Sequence, residues 1–278
     1  MEWWQSLILG LVEGLTEYLP VSSTGHLLVT QRLLGIEASD AADAYAICIQ
    51  VGAILAVLGL YRHRVFQMAQ GFLGRDPVGW RLGWNILIAF IPAAGIGFIL
   101  EKTIKKYLFG GDAWGLWPIV AAWFVGGVII LLVVYRRRHQ TQKPGLTLEQ
   151  LTLSMALIIG LAQCLAMWPG VSRSLITIVG GVMVGLSLTA AVEFSFLLGV
   201  LTLTAATAYD FLRHGGQMLE QFGMGTLLIG MVAAWISAVL AVKWMVSYLN
   251  RNGMGIFGYY RIAVAIVVGA LILTGHLK

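Results

Sequence analysis

Charged side chains are scarce in this chain, at 11% of its 278 residues, and cysteine occurs only twice. So little charge cannot cover the wet surface of a soluble domain of this length. With 59% hydrophobic residues and a mean hydropathy of +0.84, the composition belongs to a polytopic membrane protein. Cys48 and Cys164 lie inside apolar stretches, where a small buried hydrophobe is expected rather than a disulfide or metal ligand, and no redox compartment follows. The first apolar run, 3–12, lacks a basic flank and is cut by Glu13, so it is expected to stay in the mature chain rather than to act as a cleaved signal peptide. The formal charge of +5 sits largely in short segments beside apolar runs, as at Arg62, Arg64 and Arg136 to Arg138. That clustering reads as membrane topology, not as a nucleic-acid partner.

What the chain has is long charge-free runs, at 44–61, 82–100, 113–135, 194–209, 222–242 and 262–275. Most approach the roughly 20 residues that a spanning helix needs, and they predict six spans. Two further segments, 10–26 and 160–177, carry polar and ionisable residues and are copies of each other. At an offset of 150 the identities are Leu7/Leu157, Ile8/Ile158, Gly10/Gly160, Leu11/Leu161, Leu15/Leu165, Val21/Val171 and Ser22/Ser172, with Glu13/Gln163 and Thr24/Ser174 as close substitutions. Pro20 and Pro169-Gly170 break each copy. Irregular backbone at membrane depth needs protein or water around it, so each copy is expected to be a re-entrant helical hairpin.

The predicted fold is thus an all-α polytopic membrane protein of two halves, 1–145 and 146–278, each a re-entrant hairpin plus three spans. Three spans per half invert the second half, giving inverted-topology repeats whose loop tips meet near the midplane. Lys102/Lys243, Tyr107/Tyr248 and Leu108/Leu249 add weaker support at an offset of 141. Loops 62–82, 136–150 and 250–261 hold ten Lys and Arg against six in 32–43, 101–113, 210–221 and the C-terminus, which puts the first group in the cytoplasm. Both termini and the first hairpin's mouth then face outward, and the second hairpin is rooted inside.

Glu13 and Glu17 share one helix face, one turn apart. Carboxylates at membrane depth are expensive and mark a functional site, with interfacial glutamates as the plain alternative. Their repulsion favours a shared proton or a cation such as Mg²⁺ or Ca²⁺ between them. Arg173, in a Pro-Gly-Val-Ser-Arg-Ser turn, offers a planar fork for two phosphate oxygens, or else simply neutralises a glutamate. Ser172, Ser174 and Thr177 add hydroxyls, and the following helix start adds free N–H groups, so the turn reads as a phosphate cradle. His26, following Ser22, Ser23 and Thr24, is placed to move a proton or attack phosphorus, with a structural role as the alternative. Gln50, Glu193, Asp210 and Lys243 are polar residues in or near spans, read first as interhelix or interfacial groups; Gln50 is also counted with Ser22, Thr24, Ser172, Ser174 and Thr177 among the substrate-binding candidates.

The string from Glu13 to His26, Glu-Gly-Leu-Thr-Glu-Tyr-Leu-Pro-Val-Ser-Ser-Thr-Gly-His, joined to Pro169-Gly-Val-Ser-Arg-Ser-Leu-Ile-Thr177, resembles the undecaprenyl-pyrophosphate phosphatase family, also known for bacitracin resistance. Both family signatures stand intact, and the likeness covers nearly the whole chain. It implies interlocked inverted repeats in a bacterial inner membrane, an active site toward the periplasm, and hydrolysis of undecaprenyl diphosphate to undecaprenyl phosphate and inorganic phosphate. It also implies Glu13, Glu17, His26, Ser172, Arg173 and Thr177 as active-site positions, Ser23 as a candidate nucleophile, and a divalent cation. Glu13 and Glu17 are the metal candidates, Glu17 doubling as general base. Attack by Ser23, by His26 or by water remains open at this point. The expected partners are a polyprenyl diphosphate lipid and the bilayer, with a homodimer open and no nucleic acid. Two rivals are weighed. A phosphatidate-phosphatase type of lipid phosphatase needs a histidine soon after the arginine, and 174–195 contains none. A polyprenyl-phosphate transporter or flippase would use the same midplane site.

Overall fold

The computed structural model describes residues 1–104, 115–139 and 145–277, with 100–104 and 137–139 described by backbone alone. Tyr107 and Leu108, part of the weaker repeat signal, lie outside the described residues, as do residues 113 and 114 of the third apolar run. The described residues form α1 (Trp3–Thr16), α2 (Ser23–Leu33), α3 (Asp40–Leu60), α4 (Arg62–Phe72), α5 (Pro77–Ile104), α6 (Trp117–His139), α7 (Leu153–Gln163), α8 (Arg173–Met183), α9 (Leu188–Phe222), α10 (Met224–Asn252) and α11 (Gly255–Leu273).

Six of these, α3, α5, α6, α9, α10 and α11, are long and apolar enough to cross a membrane, matching the six expected. Large apolar side chains such as Phe98, Leu132, Leu212 and Leu240 are exposed on them. An apolar exterior of this extent suits lipid rather than water. By contrast α1, with 14 residues, and α2, α7 and α8, with 11 each, reach only about 16–21 Å at 1.5 Å per residue. None of the four spans a hydrocarbon core of about 30 Å alone.

Several expected loops are helical. α9 runs to Phe222 through Asp210, Arg213 and His214, and the connection within 250–261 shrinks to Gly253 and Met254. Polarity marks where a helix leaves lipid, not where it stops; the stops are Gly223 at φ 80° and Gly253 at φ 71°. Asp76 starts α5 by accepting from the Val78 and Gly79 N–H groups at 2.8 and 2.9 Å. The Gly79 bond above all holds the Asp76 carboxyl below its usual range.

The short helices pack across the two halves of the chain. α1 lies along α10, which also packs on α3, and α7 lies along α5. Both crossings are too close for a side chain: a Cβ on Gly10 would sit 2.3 Å from the Gly230 carbonyl oxygen, and one on Gly160 would sit 2.3 Å from that of Ala89. Elsewhere α3 pairs with α9, α6 with α11, and α8 with α9. At the C-terminal end of α3, Arg64 donates to Glu193 and Glu149, both at 2.8 Å, and to Gln67 at 3.0 Å. This network joins segments 62–82 and 136–150, which the charge count puts on one side.

Candidate active site

Chain breaks at Pro20 and Pro169 end the incoming helices and turn the chain into α2 and α8. Each turn ends on a serine in the left-handed region, Ser22 at φ 73° and Ser172 at φ 76°, the only non-glycine residues with positive φ among those described. Such a conformation costs about 1–3 kcal/mol per residue and persists where surrounding structure imposes it, typically at functional sites. Both serines cap the following helix, Ser22 Oγ accepting from Gly25 N–H at 3.5 Å and Ser172 Oγ from Leu175 N–H at 3.2 Å. Ser23 and Arg173 therefore open their helices, where main-chain N–H groups lack intrahelical partners and favour anions.

The two turns meet. Arg173 Nη2 donates to Glu17 Oε1 at 2.8 Å, and Ser174 Oγ donates to the Leu19 carbonyl at 2.8 Å. Ser23 Oγ donates to the other Glu17 oxygen, Oε2, in a very short hydrogen bond. One carboxylate is thus held between a hydroxyl and a guanidinium from opposite halves of the chain. Arg173 Nη1 is spent on the Ser195 carbonyl at 3.1 Å, and the guanidinium lies 5.3 Å from the Tyr18 ring centre. Its Nε–H is buried without a partner among the described residues.

These groups face a cavity of about 120 Å³ lined by Glu17, Ser22, Ser23, Thr24, Gln50, Ser172 and Arg173, with Trp168, Pro169 and Gly170 closing one wall. Other expected residues lie behind it. Glu13 is fully buried and neither carboxylate oxygen has a partner among the described residues. Thr177 Oγ1 donates to the Arg173 carbonyl at 2.8 Å and lies 2.6 Å from Ser195 Oγ, under the start of α8. Ser174 is spent on Ser172 and Leu19.

His26 stands off the cavity wall. Its Nδ1 lies 2.7 Å from the Ser22 carbonyl, which can only accept, so Nδ1 carries a proton; Nε2 lies 2.8 Å from the Tyr260 hydroxyl and accepts from it when the imidazole is neutral. The imidazole also stacks on Tyr260 at 5.8 Å and meets Trp123 edge-on at 5.0 Å. Tyr260, Trp123, Ser195 and Tyr18 were not visible as site residues in the sequence: Trp123 and Ser195 sit in apolar runs and read as filler, while Tyr18 and Tyr260 read only as aromatic neighbours of Glu17 and Arg261. Arg261 needs correction: counted above as a loop charge, it is fully buried inside α11.

Two larger cavities adjoin. One of about 460 Å³, walled mainly by Phe90, Ala93, Ala94, Phe98, Ala205 and Ala206, shares Ala166, Met167, Arg173 and Leu203 with the site. The other, of about 200 Å³, shares Thr24 and Gln50 with it and carries Asp40, Asp43, Asp210 and His214.

The model of the family described as bacitracin resistance protein BacA matches residues 6–267. A protein of Sorangium cellulosum named undecaprenyl-diphosphatase is 43% identical over 274 residues, 98% of this chain and 86% of the relative. One of Rhodospirillum rubrum, undecaprenyl-diphosphatase 2, is 43% identical over 98% of this chain and 95% of its own length. A third, the undecaprenyl-diphosphatase of Aquifex aeolicus, is 40% identical over 97% of this chain and 98% of its own.

Proposed function

The chain belongs to the bacitracin resistance BacA family and hydrolyses undecaprenyl diphosphate to undecaprenyl phosphate and inorganic phosphate, recycling the lipid carrier of cell-wall synthesis; we propose that it does so in the cavity between the two serine turns. The observation that carries this site is Glu17, whose carboxylate touches the Ser23 hydroxyl on one oxygen and the Arg173 guanidinium on the other. A nucleophile in contact with a base that a third group orients is the arrangement that activates a hydroxyl. Glu17 takes the Ser23 proton as Oγ attacks the terminal phosphorus; the bond to the bridging oxygen breaks and undecaprenyl phosphate leaves. The leaving undecaprenyl phosphate takes the proton back from Glu17, whose carboxylate then deprotonates a water; its oxygen attacks phosphorus, the bond to Ser23 Oγ breaks, and the Glu17 proton returns to Oγ as inorganic phosphate leaves.

Arg173 is the clamp. Its side chain lines the cavity, and the starts of α2 and α8 supply main-chain N–H groups around the transferred phosphoryl, where stabilisation of spread charge does most of the work. Ser22, Thr24, Gln50 and Ser172 line the same space as substrate contacts. Ser174 and Thr177 hold Arg173 and the turns in place. His26, with both nitrogens engaged by Ser22 and Tyr260, orients the start of α2 rather than attacking phosphorus. The apolar 460 Å³ cavity beside Arg173 suits the first isoprene units.

A divalent cation fits Glu13 and Glu17. Glu13 is an orphaned buried carboxylate one turn from Glu17, and Mg²⁺ is commonly held by one or two carboxylates completed by substrate phosphates. Bound there, it would neutralise charge on the diphosphate.

The hairpins are read as re-entrant and the halves as inverted repeats. In support, the paired glycines 10 and 160 seat α1 and α7 on α10 and α5 of the opposite halves, and the two turns share left-handed cap serines. The polar antechamber with Asp40 lies at the end of α3 remote from Arg62 and Arg64. By the positive-inside rule the site then opens to the periplasmic face of a bacterial inner membrane. The transporter reading receives no support from the relatives, which are named diphosphatases.

The test is phosphate release from undecaprenyl diphosphate by detergent-purified protein, with labelled phosphate trapped by acid quench. Label on the wild type and His26→Ala but absent from Ser23→Ala is expected; no label on any form would replace Ser23 by water. Chelation followed by Mg²⁺ addition should abolish and restore turnover, and full activity in chelator would remove the cation.

A further inference from the structure

We propose that Arg261 is a positioning residue for this reaction, a single guanidinium that sets the spacing of the two serine turns. The inference rests on the functional reading above. Arg261 comes from the second turn of α11, a helix that contributes nothing to the cavity wall, and it is fully buried. Its Nη1 donates to the Pro20 carbonyl at 3.2 Å and its Nη2 to the Gly170 carbonyl at 2.8 Å, the midpoints of the first and second turns. Nη2 and Nε also donate to Ala122 and Trp123 of α6, at 2.8 and 3.3 Å, anchoring the guanidinium to a spanning helix.

Glu17 and Ser23 flank Pro20 by three residues on either side, and Arg173 follows Gly170 by three. Fixing both carbonyls to one planar group therefore fixes the distance across which Ser23, Glu17 and Arg173 must cooperate. No ion pair to Arg261 is present among the described residues, so its charge rests on carbonyl dipoles alone. An unpaired buried cation is costly, and retaining one makes sense where a rigid, multi-donor fork is needed, which an ammonium cannot replace. Neighbouring groups serve the same turn: Trp123 Nε1 donates to the Val21 carbonyl at 2.8 Å, and Tyr260 holds His26, which holds the Ser22 carbonyl. α6 makes room, since a Cβ on Gly126 would fall 2.3 Å from Arg261 Nη2.

Two variants test this, with initial rates of phosphate release and detergent melting temperature measured on each. Arg261→Lys keeps the charge but cannot reach both turns; kcat should fall at least tenfold while KM stays within threefold and the melting temperature within a few degrees. Gly126→Ala adds one methyl group against the guanidinium in a helix that favours alanine, and the same split is expected. Wild-type kcat in Arg261→Lys, or a loss confined to melting temperature or KM, overturns the proposal. Should Arg261→Lys not fold, Gly126→Ala decides alone, and wild-type kcat there is fatal. Wild-type protein that releases no phosphate would instead overturn the functional reading, and the positioning claim with it.

Discussion

At the scale of residues, the site is a contest for one carboxylate. Glu17 accepts from both Ser23 and Arg173, so its charge orients the proposed nucleophile and steadies the proposed clamp together. Glu17→Gln keeps the shape but removes the base, and the amide must turn one N–H toward either a hydroxyl or a guanidinium. Turnover should fall by about 10²–10⁴, the range of general-base contributions, while the protein still inserts and melts normally. Arg173→Lys should cost about 10²–10³ in kcat, because a point ammonium cannot hold Glu17, the Ser195 carbonyl and a phosphate oxygen at once. Phosphate release at saturating substrate checks both; wild-type rates in either would remove the role assigned. The polar candidates were legible in the sequence because Glu13, Glu17, Ser23 and Arg173 are costly where they stand. The tie of His26 to Tyr260 was not, since an aromatic hydroxyl 234 positions away looks like any other membrane tyrosine until the fold joins them.

At the scale of elements, the hairpins are short helices that must be held from outside, because none buries enough surface to stand alone. Six spans could be read from apolar runs, since lipid solvates apolar side chains and their lengths match a bilayer. Helix ends were less legible: charged Asp210, Arg213 and His214 look like a loop but continue α9, as these residues are tolerated in helices, and even Gly215 and Gly216 keep the helix running until Gly223 turns to positive φ. That misreading also hid Arg261 in a supposed loop. The crossings at Gly10 and Gly160 make the hairpins' seating testable. Gly160→Leu drives a side chain into the Ala89 backbone and should displace α7 from α5, lowering melting temperature and moving Arg173 away from Glu17. Activity should drop at least tenfold, and Gly10→Leu, against the Gly230 backbone, should do the same. Unchanged melting in both variants would mean that the seats are loose and the turns are held elsewhere.

At the scale of the whole molecule, the proposed inversion explains why the active groups come from both halves. In that proposal two copies entering from opposite faces meet tip to tip, so each supplies what the other lacks, an acid with a hydroxyl from one and a cation from the other. The Arg64 network sits at one end of α3 and the cavity with Asp40 and Asp43 at the other, and the proposed orientation makes the first end the inner face and the second the outer mouth. This arrangement makes a directional prediction. In protein carrying Cys48→Ser and Cys164→Ser, a single cysteine is placed at exposed Glu37, after the first hairpin, or at exposed Ser154, where the second begins. A membrane-impermeant maleimide added to intact cells should label Glu37→Cys and spare Ser154→Cys, and permeabilising the inner membrane should expose the second. The flanks of one hairpin share a face, so Glu2→Cys should label with Glu37→Cys, and Arg75→Cys, beyond the single span α3, with Ser154→Cys. Labelling of Glu37→Cys and Ser154→Cys from the same face would make the halves parallel, and the pairing of Glu17 with Arg173 would then need a different symmetry to explain it.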